Sequence, residues 1–212
     1  MKKAKEILEK LIIMFPDAGC ELNFSTPFEL LVATILSAQC TDIRVNKITN
    51  ELFKEYNTPY HFVNLEFKEL EKLIHSCGFY KNKAKNIIDS SLMILNEYNG
   101  EVPNDMDKLI ALPGVGRKTA NVVLSNAFKA PAIAVDTHVF RTSKRLGLSN
   151  GKNPYDVEKD LMNVFVPKDY SLLHHLLIFL GRYICKSRKP NCEKCDLKKR
   201  CNYYNEKLNR TI

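Results

Sequence analysis

Four of the seven cysteines, Cys185, Cys192, Cys195 and Cys201, crowd into one stretch with six, two and five residues between them. The other three, Cys20, Cys40 and Cys77, are scattered. An odd total with one tight cluster suits metal ligation better than a disulfide framework. Structural zinc usually takes two close pairs, and here there is a single Cys-x-x-Cys. An iron–sulfur cubane spreads its iron corners widely enough to use the longer loops. Spacing alone leaves both metals open. Lys186, Arg188 and Lys189 lie in the first loop, and Lys194, Lys198, Lys199 and Arg200 lie close by. Such a run is ordinarily a solvated surface, but a loop pinned by a metal becomes a fixed phosphate-binding one.

A second chemical signal is Leu112-Pro113-Gly114-Val115-Gly116-Arg117-Lys118-Thr119-Ala120. Two glycines around one apolar residue permit a tight hairpin with exposed backbone amides. Those amides fall at the start of the next helix, where unpaired N–H groups and the helix dipole favour an anion. A phosphate bound there gives no base readout, so the binding is independent of nucleic-acid sequence. Val115 is expected to pack inward, and Ala120 to let two helices approach.

Lys118 sits in the first turn of that helix, where the dipole disfavours its charge. With partial burial, the same field would leave more neutral amine to act as a nucleophile. The plainer role is a phosphate contact beside Arg117. Asp136, in Ala134-Val135-Asp136-Thr137-His138, is the candidate partner. A helix from Arg117 to Phe128 runs about 18 Å away at ~1.5 Å per residue. The connection from Lys129 to Val135 returns about 23 Å if extended at ~3.3 Å per residue. The chain therefore has the length to bring Asp136 back beside Lys118. Asp136 is equally suited to cap the helix that begins at Thr137.

The elements that must carry these residues read as helices. Ile7, Leu8, Leu11, Ile12 and Phe15 repeat near 3.6, and Pro16 ends the segment. Thr26-Pro27 is a capping residue followed by a first-turn proline. Further helices are predicted after Thr41, through Tyr60–Leu65, through Lys68–Ile74, from Lys83 to Tyr98, from Pro103 to Leu112, and just past Gly116. Asp136, Asn153-Pro154 and Asp169 look like three later starts. No segment alternates as a strand does, so the chain reads as all-α. Its 212 residues carry a formal net charge of +8, and 45% of them are hydrophobic. That composition fits a folded protein with a polyanionic partner. No stretch has the length of a membrane span or the form of a signal peptide, so an intracellular, cytoplasmic protein is expected, nucleoid-associated in a cell without a nucleus.

The hairpin with its flanking apolar residues resembles the helix-hairpin-helix motif of DNA-binding proteins. Together with Lys118, the Val-Asp-Thr-His segment and the C-x6-C-x2-C-x5-C spacing, it resembles the endonuclease III family over about residue 4 to Cys201. The resemblance implies a bifunctional glycosylase that removes damaged pyrimidines and cuts 3′ of the abasic site by β-elimination. Lys118 would be the nucleophile and Asp136 its partner. A [4Fe–4S] cluster would be held by Cys185, Cys192, Cys195 and Cys201. It further implies a six-helix barrel over 22–131, with the hairpin motif at about 106–128. A cluster domain would form from 1–21 plus 132–212, with DNA in the cleft between the two. Gly114, Val115, Gly116, Arg117, Arg188 and Lys189 would contact DNA. Gln39 would fill the gap left by a flipped base, Phe79 would wedge the duplex, and Asp42 and His138 would line the lesion pocket. Phe79 stands where the family often has leucine, and core packing is an equal possibility for it. The expected partner is double-stranded DNA with damaged pyrimidines or abasic sites, bound by a monomer.

Overall fold

The computed structural model describes residues 2–209, and every regular element among them is helical. In chain order the α-helices are α1 (Lys2–Met14), α2 (Pro27–Ser37), α3 (Asp42–Glu55), α4 (Pro59–Asn64), α5 (Phe67–Leu73) and α6 (Tyr80–Glu97). They continue with α7 (Met106–Ala111), α8 (Arg117–Ala127), α9 (Thr137–Leu146), α10 (Pro154–Val164), α11 (Tyr170–Phe179) and α12 (Asn202–Asn209). The chain divides into two compact units. One is Cys20–Ala130; the other joins the N-terminal segment through Gly19 to everything from Pro131 onward.

In the first unit, α2 is the central element. Phe28, Leu30, Leu31, Val32, Ala33, Ile35 and Leu36 are all buried along it. It packs on α3, α6 and α8, while α4 and α5 lie on α6, and α7 on α8. An all-round apolar helix of this kind belongs inside a domain. In the second unit, Ile7 and Leu11 of α1 join Val139, Leu146, Leu161, Leu173, Leu176 and Leu177 in one core.

Most helix starts are closed by a side chain, as their sequences suggest. Thr26 accepts from Glu29 N at 3.1 Å, Asp105 from Lys108 N at 3.0 Å and Asn153 from Asp156 N at 2.9 Å. Each removes one of the unpaired amides that a helix start leaves. The Asp105 cap explains one departure from the sequence reading. The helix expected from Pro103 begins three residues later, because Asp105 supplies the capping oxygen and Pro103 is buried in the approach. Likewise α6 starts at Tyr80 rather than near Lys83, directly after a left-handed turn at Phe79. A π-helical turn over Leu180–Ile184 and the terminal helix α12 have no counterpart in the sequence reading.

Leu177 is fully buried in the second unit's core. Leu177→Ala is expected to destabilise that unit by about 2–5 kcal/mol, the range for a leucine cavity. Urea unfolding of the two proteins measures the difference.

Candidate active site

The hairpin between α7 and α8 is held from outside by α6. Ser90 Oγ donates to Pro113 O at 2.7 Å, and Val115 N donates back to Leu112 O at 3.1 Å. Val115 is buried, as its place between the glycines suggested. The two glycines have different reasons to be glycine. Gly114 has φ of +76°, and a Cβ there would lie 2.6–2.8 Å from the Asn86 side chain. Both backbone and packing exclude a side chain. Gly116 has φ of −93°, and a Cβ on it would meet nothing within 4 Å. Nothing in the fold requires glycine at 116. Gly116 is the residue before α8, and no side chain caps that helix. The result is an open helix N-terminus with unobstructed backbone, a geometry that admits a phosphate.

Arg117 and Lys118 follow, both exposed. The first turn of α8 thus faces outward where the hairpin ends. Lys118 is near Cys20, as are Asp42 and Lys129. Burial raises the Cys20 thiol above its ordinary range and a backbone hydrogen bond at Leu22 opposes this; the Asp42 carboxylate adds to the rise, while Lys118 and Lys129 counter it. Two predicted site residues, Lys118 and Asp42, thus share a neighbourhood within one unit.

Gln39 and Phe79 also lie together. Both are exposed, and both hold left-handed backbone, with φ of 53° and 58°. For residues other than glycine this conformation is uncommon and marks sites held by their surroundings. Phe79 is 64% exposed, so it is not a core residue. A Cβ on Gly78 would be 3.9 Å from Gln39 O, so the two loops adjoin. Lys83, only 5% exposed, holds the first of them. Its ammonium donates to Leu36 O at 2.8 Å and Ala38 O at 2.7 Å, pairing carbonyls left open at the end of α2. Burial lowers the pKa of this ammonium below the ordinary lysine value. The sequence reading missed Lys83, whose acceptors lie 45 and 47 residues away and leave no local pattern.

The remaining predicted residues belong to the other unit. Asp136 is half-buried and caps α9, accepting from Val139 N at 2.8 Å. His138 Nδ1 lies 3.2 Å from Arg141 Nη2. A guanidinium only donates, so Nδ1 is the acceptor of this contact. Arg141 also donates to Gly181 O at 2.9 Å and Cys185 O at 3.0 Å, linking His138 to the first cysteine. One turn on, Arg145 donates to Lys186 O at 2.8 Å and Ser187 O at 3.0 Å and stacks on Tyr203. These bonds fix the loop that presents exposed Arg188 and Lys189, the latter with φ of 49°. Arg141 and Arg145 were not anticipated, although their spacing along α9 from His138 places all three on one helix face.

Cys185, Cys192, Cys195 and Cys201 line a single cavity, with Leu180 and Ile184 among the apolar residues of its wall. Among the described residues, no group of three or more Cys, His, Asp or Glu side chains converges closely enough to hold a single ion. The donor set around the cavity is sulfur. Arg145 Nη1 donates to Cys185 Sγ at 3.4 Å, and Cys201 Sγ donates to Arg145 O at 3.2 Å. Burial pushes the Cys195 thiol up to about 11, with the other three cysteines adding to the rise. Four half-buried or buried sulfurs that repel one another as thiolates are a donor set that a cationic iron–sulfur centre fits.

The family model for the HhH-GPD superfamily base excision DNA repair protein matches residues 32–167. The chain is 53% identical over 202 residues to endonuclease III of Bacillus subtilis (strain 168), covering 95% of this chain and 92% of that protein. It is 49% identical over 206 residues to endonuclease III of Escherichia coli (strain K12), covering 96% and 97%. The solved structure of a trapped endonuclease III–DNA covalent intermediate, an estranged-adenine complex, superposes with a TM-score of 0.92. That match has 50% identity and covers 98% of each chain.

The contrast between the glycines is testable. Gly114→Ala is expected to cost more than about 1 kcal/mol of stability, because the left-handed backbone cannot accept it without strain. Gly116→Ala is expected to change stability by less than about 1 kcal/mol, yet to weaken binding to duplex DNA. Urea unfolding and a DNA titration on both variants separate the two effects.

Proposed function

This chain belongs to the endonuclease III family of HhH-GPD base excision DNA repair proteins, and from that premise we propose that Lys118 is its nucleophile and Asp136 the partner carboxylate. The enzyme is a DNA glycosylase with AP lyase activity, acting on duplex DNA. What carries the assignment is the position of Lys118: exposed, two residues past Gly116, in the first turn of an uncapped helix. A phosphate seated on the Gly116 amides holds the sugar-phosphate chain within reach of that side chain.

The reaction runs through the residues of this chain as follows. The damaged nucleotide, an oxidised or otherwise damaged pyrimidine, leaves the stack. Gln39 enters the space it vacates, where an amide that both donates and accepts tolerates different opposite bases. Phe79 supports the opened duplex as an aromatic wedge. The family resemblance assigns a contact with the extruded base to Asp42 and, separately, one to His138. The free amine of Lys118 attacks C1′; the C1′–N bond breaks and the base departs. Asp136 accepts the proton that the ammonium must lose and stabilises the positive charge that develops on the sugar. Loss of the ring oxygen from C1′ gives a Schiff base on Lys118. Removal of a C2′ proton then expels the 3′ phosphate, cutting the strand. Hydrolysis frees the lysine.

Cys185, Cys192, Cys195 and Cys201 would hold a [4Fe–4S] cluster, which when bound supplies the cross-link that fixes the basic loop. Arg188 and Lys189 then contact phosphate from a loop that Arg145 already holds. Among the described residues, no helix is long and apolar enough to cross a membrane. We place the enzyme inside the cell, acting as a monomer on DNA.

The test is strand cutting on a duplex with one abasic site. Lys118→Ala is expected to lose 3′-side cleavage by at least about a hundredfold, the scale on which a group acting in the transition state contributes. Unchanged cleavage in the folded, cluster-loaded variant overturns the assignment. The same duplex run with Lys118→Arg separates chemistry from charge: phosphate contact survives in that variant and cleavage does not.

A further inference from the structure

The adjoining loops that carry Gln39 and Phe79 each hold a cysteine, Cys40 directly after Gln39 and Cys77 two positions before Phe79. Cys40 and Cys77 are free, and their sulfurs are 3.8 Å apart across 37 residues of chain. Cys40 is half-buried, whereas Cys77 is fully buried. The same loops are tied by Arg44, whose Nη1 donates to Ser76 O at 3.3 Å. Neither cysteine takes part in the reaction above or belongs to the C-terminal four.

We propose that Cys40 and Cys77 are a thiol-oxidation site, closing a reversible disulfide between the two loops that carry Gln39 and Phe79. The consequence for DNA rests on the assignment of those two residues to the opened duplex; the formation of the bond does not. The oxidant is a hydroperoxide or a small-molecule disulfide. With a hydroperoxide, the Cys40 sulfur attacks the terminal oxygen; an S–O bond forms, the O–O bond breaks, and the departing alkoxide leaves as an alcohol (water, from hydrogen peroxide) with the Cys40 proton. The Cys77 sulfur then attacks Cys40, the S–O bond breaks, and water departs with the Cys77 proton. In total two thiols lose two electrons and two protons, and the peroxide is reduced to two hydroxylic products. With a small disulfide, Cys40 displaces one thiol to give a mixed disulfide, and Cys77 displaces the other.

The order of attack follows from the surroundings. Cys40 is the less buried of the two, so it meets the oxidant first. Burial pushes the Cys77 thiol up to about 11, the Cys40 sulfur adds to that rise, and Lys83 and Arg44 oppose it. Cys77 is thus the resolving partner, protected until a leaving group is placed beside it. Closing the bond brings the sulfurs from 3.8 Å to about 2.05 Å. The movement falls on loops whose residues 39 and 79 already occupy left-handed backbone. Both side chains are then drawn out of the positions from which they would enter DNA.

The experiment equilibrates the cluster-loaded protein with oxidised and reduced glutathione in varied ratio. Peptide mapping by mass spectrometry follows a 40–77 cross-link, and the iron–sulfur absorbance follows the cluster. The expected result is a cross-linked peptide at full cluster content, with affinity for an abasic-site duplex reduced at least about tenfold. Dithiothreitol restores the affinity, and Cys40→Ser abolishes the response while binding as the reduced protein does. Glutathione left on Cys40 with no cross-link overturns the site. A cross-link with unchanged DNA affinity overturns its effect on binding. Failure of the reduced protein to bind the duplex at all contradicts the proposed function instead, leaving the cross-link result to stand by itself.

Discussion

A phosphate can sit against a protein backbone only where amides point outward and no side chain intervenes, and the start of α8 meets that constraint. Six other helices are closed by the side chain of a Thr, Asp or Asn that accepts from the first turn at 2.8–3.4 Å. At α8 the residue in that place is Gly116, with ordinary backbone angles and empty space where a Cβ would go. The rest of the hairpin serves this opening. Gly114 makes the turn, Val115 anchors it in the core, and Ser90 fixes Pro113 from α6. Glycine in place of a capping Ser, Thr, Asp or Asn costs only about a few tenths of a kcal/mol. Burial of Ala120, Val122, Val123 and Leu124 along the same helix offsets it.

Where the functional loops lack regular hydrogen bonding, single long cations take its place. Lys83 closes the end of α2 and so holds the turn at Gln39. Arg145 collects the carbonyls of the loop before Arg188, and Arg141 joins Cys185 O to His138. Each satisfies several acceptors from one side chain, which orders a loop without building a helix or strand through it. The cysteine cavity depends on the same arginines, since Arg145 contacts both Cys185 and the Cys201 thiol.

Much of this was readable from the chain alone, where the signal is local. Thr26-Pro27 and Asn153-Pro154 open helices where they should, and Asp136 caps α9. The hairpin showed itself because two glycines, an inward Val115 and a small Ala120 lie within a few residues of one another. The start of α7 was misplaced because Pro103 and Asp105 both favour a helix start, and only packing decides between them. Lys83 was invisible because its acceptors come from a distant helix end. The exposure of Lys118 also could not be read, since burial depends on which way the first turn of α8 faces. The pairing of Cys40 with Cys77 is of the same kind, a contact made by two loops that share no sequence pattern.

In the proposed reaction one lysine, set just past an open helix end, forms the covalent bond to the sugar. Borohydride reduction during turnover on an abasic-site duplex freezes that bond, and proteolysis with mass spectrometry then identifies the modified residue. The sugar remnant is expected on Lys118. Its attachment to any other lysine, or to the N-terminal amine, with Lys118 unmodified would contradict it.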